Sequence, residues 1–168
     1  MPATDTATAS RIAHRNLPLL LLKAREALLA RFRPIISHFG LTEQQWRVIR
    51  ALSEHKEMEP RLICEACQIL SPSLTGVLAR MEELGLVKRE RMADDQRRVL
   101  VRLTPKSEDI ALRIAPLIEA QYKVVEAHLG PELIGEIYTL MDRLLSQDIE
   151  AIPTIALPPY EPAAVTTE

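Results

Sequence analysis

The stretch SPSLTGVLARMEELG, Ser71 to Gly85, constrains the fold more than any other part of the chain, because the residue pattern changes period directly after it. Ser71 is placed to cap a helix, Pro72 to open it and Gly85 to stop it. Between them Leu74, Val77, Leu78, Met81 and Leu84 fall on one helical stripe. In the adjoining LVKRERMADDQRRVLVRLT the apolar pattern becomes alternating. Two short runs, Leu86 to Arg91 and Val99 to Leu103, flank a polar turn and predict a β-hairpin.

Helices are expected on both sides. Asn16 can cap a long helix with Pro18 near its start, whose stripe holds Leu20, Leu21, Ala24, Leu28, Phe32, Ile35, Ile36 and Phe39; Gly40 ends it and Pro34 marks a kink or break. Thr42 and Gln45 form a capping box ahead of Trp46, Ile49 and Leu52. Pro60 opens a short helix with Leu62, Ile63 and Ala66 facing inward. Thr104-Pro105 starts another long helix through Ile110, Ile114, Leu117, Ile118, Tyr122, Val125 and Leu129, with a kink expected at Pro116. Gly130-Pro131 breaks it, and a last helix carries Leu133, Ile137, Leu140, Met141, Leu144 and Leu145.

The 168 residues suffice for one domain with a sizeable core. Hydrophobic content of 47% against 4% aromatic gives a core of aliphatic side chains. No secretory signal is visible at the start, and the run from Leu17 to Leu22 is too short and too quickly followed by Lys23 and Arg25 to span a bilayer, so a cytoplasmic protein without membrane contact is expected. The net charge is −2, but its distribution is uneven. Bases outnumber acids six to three from Leu86 to Arg102 and six to one from Arg11 to Arg33, while the Pro-rich tail after Leu145 holds only acids.

Mainly α structure with a small β-hairpin is therefore the expected fold class, and helices two to four plus the hairpin are the parts of a winged helix-turn-helix. On LTEQQWRVIRAL, LSPSLTGVLARMEELGLVKRE and DQRRVLVRLT the chain resembles the MarR family of transcriptional regulators over roughly Leu17 to Leu145. More narrowly it resembles the branch that represses degradation of homoprotocatechuate and related aromatic acids. One departure is Ser107, where the family usually has Gly. The resemblance implies a flexible N-terminal segment at 1–16 and a MarR-type domain at 17–148. Within it the winged helix covers about 42–104 and dimerisation helices about 17–39 and 105–148; a disordered Pro-rich tail is expected at 149–168.

The resemblance implies a homodimer that meets a pseudo-palindromic operator in double-stranded DNA, the alternative being a monomeric bundle folding back on itself. On the fourth helix, Ser71, Ser73, Thr75, Gly76 and Arg80 fall outside the core stripe. Hydroxyls near a helix start can reach phosphates or bases, Gly76 allows close approach, and Arg80 can meet a phosphate or a guanine edge. Lys88 and Arg91 add attraction, and Arg97 and Arg98 at the wing would reach a minor groove or phosphates. By the resemblance, Asp95 pairs with Arg97 or Arg91 and shapes the wing. The bland alternatives are a solvated helix surface and a charge-balanced turn.

The resemblance also implies a small aromatic carboxylate effector of hydroxyphenylacetate, hydroxybenzoate or hydroxynicotinate type. Arg25 and Arg33 are candidates for a carboxylate fork, with His14 or Arg15 arriving from the partner chain and Trp46 walling the ring. Arg25 has an interface ion pair as its plain reading, His14 a place in a loose tail, and Trp46 the anchoring of the second helix in the core. Cys64 and Cys67 form a C-x-x-C that would suit a redox-responsive regulator, although buried small apolar residues explain it better. No catalytic motif or metal-ligand spacing is present, so neither an enzyme, a metal nor a cofactor is expected. A winged helix serving only protein interaction is the remaining rival.

Overall fold

The computed structural model describes residues 14–92 and 98–159. Its elements are α1 (Leu17–His38), α2 (Glu43–His55), β1 (Glu57–Met58), α3 (Pro60–Cys67), α4 (Ser71–Glu83), β2 (Val87–Arg91), β3 (Val99–Leu103), α5 (Pro105–Leu129) and α6 (Pro131–Leu145). Mostly helical structure with a small sheet is what the patterning predicts. Two compact units divide the chain at Val124–Val125, and the first holds the winged helix.

Local chemistry sets the helix ends. The Asn16 side chain accepts the Leu19 N–H at 2.9 Å, and Gly40 at φ +68° turns the chain out of α1. Pro34 removes one helix donor, yet α1 continues to His38. At α2 the capping box is complete: the Gln45 N–H donates to Thr42 Oγ1 at 3.2 Å, and the Thr42 N–H to Gln45 Oε1 at 2.9 Å.

Three local expectations need correction. The inward face of α3 is Ile63 and Cys67, one turn apart, while Leu62 and Ala66 are exposed; a helix of two turns shows the core only a narrow stripe. The cap of α4 is Leu70, whose carbonyl accepts the Leu74 N–H at 2.9 Å, so Ser71 is the first helical residue and its side chain caps nothing. The hairpin belongs to a three-stranded antiparallel sheet in the order β1-β3-β2. β1 is only two residues long, below what an alternating pattern can reveal, and it pairs Glu57 with Arg102 and Met58 with Val101. β2 pairs with β3 from Val87 opposite Leu103 to Arg91 opposite Val99.

The core joins Val48, Ile49 and Leu52 of α2, Ile63 of α3, Leu74, Leu78 and Met81 of α4, Val87 and Val101 of the sheet, and Ile114 of α5. Truncating one such side chain costs about 2–5 kcal/mol, so this cluster fixes where α4 stands. The joint between α4 and α5 is polar: Thr104 Oγ1 donates to the Gly85 carbonyl at 2.7 Å, and the exposed Lys106 Nζ to the Leu84 carbonyl at 2.8 Å. In α6, by contrast, no residue is buried, and Leu133, Tyr138, Leu140 and Leu145 are all exposed. Residues 153–159 carry no regular element.

Candidate nucleic-acid interface and ligand cavity

α3 and α4 meet at 109° across a short turn, within the range of a helix-turn-helix. α4 turns Leu74, Leu78 and Met81 inward and leaves Ser71, Ser73, Thr75, Gly76 and Arg80 exposed. The Thr75 hydroxyl donates to the Ser71 carbonyl at 3.2 Å, leaving its oxygen able to accept. A Cβ added at Gly76 would meet nothing within 4 Å, so the fold itself does not require glycine there. Glycine inside a helix costs about 1 kcal/mol relative to alanine, which makes external approach the better explanation.

Several of the cations around α4 are already paired. Arg80 lies 2.9 Å from Glu83, and Arg89 on β2 donates through Nε to Glu82 at 2.8 Å. That guanidinium holds the Glu82 carboxyl below its ordinary range. Lys88 and Arg91 are exposed and form no ion pair among the described residues. Asp95 and Arg97 lie outside the described residues.

Arg98 is exposed and ion-paired at the foot of the wing. Its Nε donates to Glu59 Oε1 at 2.9 Å, at the residue preceding α3, so this side chain ties the wing base to the helix-turn-helix.

A cavity of about 960 Å³ opens between α2, the first part of α5 and the sheet. Trp46, Arg50 and Ser53 line it from α2, Ala111, Ala115 and Ile118 from α5, and Arg102 and Leu103 from β3. Burial works against the charge of Arg50, but Tyr122 and Glu54 beside it prevail and its pKa is raised. Tyr122 packs on Phe32 with ring centroids 4.6 Å apart. In the cavity wall itself, Arg50, Trp46 and Ser53 bring a cationic, an aromatic and a hydroxyl group together.

The predicted carboxylate fork is not in that cavity. Arg25 lies 2.5 Å from Glu26 and also binds Glu43, while Arg33 binds Glu26 and approaches Glu43 at 3.8 Å. The bond to Arg33 chiefly holds the Glu26 carboxyl below its ordinary range, and the same bond raises Arg33. Ion pairing is therefore what occupies Arg25 and Arg33. Trp46 does line the cavity, half-buried; His14 and Arg15 are exposed ahead of α1. Arg50 is legible one helical turn beyond Trp46, on the same face, whereas Tyr122 falls in a stripe that periodicity marks only as core. Among the described residues no group of His, Cys, Asp and Glu could hold a metal. Cys67 is buried, which pushes its thiol pKa up, and Cys64 is half-buried.

Fold and surface together define a winged helix-turn-helix DNA-binding protein. The chain belongs to the MarR family of transcriptional regulators, whose pattern matches residues 39–98. It is 38% identical over 140 residues to the HTH-type transcriptional regulator FarR of Neisseria gonorrhoeae, covering 79% of this chain and 96% of that one. It is also 38% identical to the homoprotocatechuate degradative operon repressor of Escherichia coli, over 79% of this chain and 90% of that one. Among solved structures, NadR in complex with 4-hydroxyphenylacetate is 36% identical, with a TM-score of 0.67 over 87% of this chain and 99% of that one. No single helix among the described residues is long and apolar enough to cross a membrane.

Proposed function

We propose that this protein is a homodimeric repressor of an aromatic-acid catabolic operon, released from its operator by a small hydroxylated aromatic carboxylate. The observation that carries the reading is Arg50 in the cavity wall, one turn beyond Trp46 and beside Tyr122. A guanidinium receives a carboxylate in two-point fashion, the indole walls a ring, and the Ser53 hydroxyl in the same wall can donate to the ligand. The carboxylate fork is thereby assigned to Arg50, because it lines the cavity and Arg25 and Arg33 do not; its own pair with Glu54 is loose, at 3.5 Å. Homology to a homoprotocatechuate operon repressor and to NadR, whose complex holds 4-hydroxyphenylacetate, supports the same ligand class.

DNA contact is assigned to Ser71, Ser73, Thr75, Gly76 and Arg80 of α4, to Lys88 and Arg91 of β2, and to Arg97 of the wing. The exposed aliphatic side chains of α6 and of the α1 start favour a two-fold dimer that buries them. Ligand in the cavity touches α2, α5 and the sheet at once, so it can favour one spacing of the two recognition helices over another. The spacing it favours no longer matches two half-sites, and affinity falls. Burial of Cys67 and its raised thiol pKa weigh against the redox alternative.

A thermal-shift series with 4-hydroxyphenylacetate, 3- and 4-hydroxybenzoate and 6-hydroxynicotinate tests the assignment, since a ligand that binds the native state raises its Tm. The wild type should respond to at least one compound and Arg50→Met to none. An equal response from Arg50→Met would place the carboxylate elsewhere.

A further inference from the structure

A chain of contacts runs from α1 to the turn ahead of the recognition helix. On α1, Arg25 and Arg33 reach Glu43, the first residue of α2. One turn along α2, Arg47 Nη2 lies 3.8 Å from the same carboxylate. Its Nη1 donates to the Cys67 carbonyl at 2.6 Å and lies 3.5 Å from that of Gln68. Cys67 is the last residue of α3, and Leu70, three residues on, caps α4.

The end of α3 needs such a partner. A helix C-terminus leaves carbonyls unpaired and carries partial negative charge, which a cation relieves. The last turn of α3 contains no basic residue of its own. The turn between α3 and α4 holds Gln68 at φ +49°, a left-handed conformation that side chains other than glycine rarely adopt. Arg47 supplies from α2 the cation that α3 lacks. It does so at a cost, because its Nε is buried without a hydrogen-bond partner among the described residues. A guanidinium that leaves one donor orphaned is held by what its other nitrogens span, here Glu43 on one side and the turn on the other.

We infer that Arg47 is a positioning residue for DNA reading, and that Glu43 links it to α1. Arg47 acts without touching DNA; it sets the angle at which α4 leaves the turn, and Glu43 makes that angle answer to the dimerisation helix. The inference rests on the DNA-binding reading and adds to it a route between dimer and recognition helix.

Two measurements on the full chain test it, one of them independent of DNA. Amide hydrogen exchange should be faster at Gln68 and Ile69 in both Arg47→Met and Glu43→Gln, although Glu43 does not touch those residues. These amides donate to the Glu65 and Cys64 carbonyls in the native turn. Unchanged exchange in Glu43→Gln would overturn the link to α1, and unchanged exchange in Arg47→Met would overturn the whole inference. In fluorescence anisotropy, Arg47→Met should lose about tenfold in affinity for the protein's own upstream region. Affinity for a scrambled duplex should stay within about twofold, since Arg47 makes no phosphate contact of its own and only its long-range charge is lost. The double variant should be no worse than Arg47→Met alone, because Glu43 acts through Arg47. Arg47→Lys, which keeps a donor for the Cys67 carbonyl but not the span, should fall between wild type and Arg47→Met. Equal losses on both duplexes, or strictly additive losses in the double variant, would contradict the positioning role.

Discussion

Ser107 Oγ donates to the Leu86 carbonyl at 2.5 Å from a position with no solvent exposure. The same oxygen accepts the Thr104 N–H at 3.1 Å, so one hydroxyl joins the start of α5 to the start of the wing. Ser107→Ala should therefore cost about 1–2 kcal/mol through the lost buried hydrogen bonds, read as a lower urea midpoint with an unchanged slope. A midpoint equal to wild type would mean that the joint holds without the hydroxyl.

Gly76 separates stability from function. Alanine there meets open space and improves helix propensity, so Gly76→Ala should stabilise the fold by about 0.5–1 kcal/mol. The added methyl should nonetheless weaken operator binding, because it stands on the exposed face of α4 to which DNA contact is assigned. Calorimetry and anisotropy on the same preparation check both signs; a variant that is stabler and binds equally well would remove Gly76 from the interface.

Charge pairing beside α4 predicts how binding responds to salt and acid. Glu82 neutralises Arg89, so Glu82→Gln should strengthen binding to any duplex and steepen the log affinity against log salt slope by about 1. The Glu26 and Glu82 carboxyls titrate below their ordinary range in the folded state. Their contribution to stability is thus present above the unfolded pKa and lost as pH falls through the depressed folded values. Both are exposed, so the effect is small. Glu26→Gln should flatten the acid limb of a Tm against pH curve, and an unaltered limb would show that solvent screens the pair completely.

The cysteines should differ in reactivity. Burial raises the Cys67 thiol pKa, keeping it protonated at neutral pH, whereas Cys64 is half-buried beside α4. Iodoacetamide followed by mass spectrometry should find Cys64 modified first. Faster labelling of Cys67 would contradict the packing of α3.

Much of this architecture is readable in the residues, and the reasons are physical. Caps such as Asn16 and Thr42 act within one turn, so their partners are fixed by spacing along the chain. The apolar stripe of α4 likewise names its buried face, and in β3 the central Val101 is the buried residue. Contacts between elements distant in sequence are not readable in this way. Nothing local announces that Arg98 meets Glu59, that Arg25 is taken by Glu43, or that Glu57 and Met58 complete a sheet. The candidate ligand site shows both sides of this. Trp46, expected as a wall, does line the cavity, and Arg50 one turn along shares its face, but that Ala111, Ala115 and Ile118 of α5 form the opposite side is not written in either helix alone.

Release of the operator by ligand bound at Arg50 is the step that would make this protein a switch rather than a fixed block on transcription. Anisotropy of a labelled fragment of the protein's own upstream region, titrated with protein at fixed salt, measures this step when repeated with a saturating hydroxylated aromatic carboxylate. The wild type should bind the fragment and lose about tenfold or more in affinity with ligand, while Arg50→Met binds equally well and does not respond. Tight binding that no such carboxylate alters, or that ligand releases from Arg50→Met as readily as from the wild type, would contradict it.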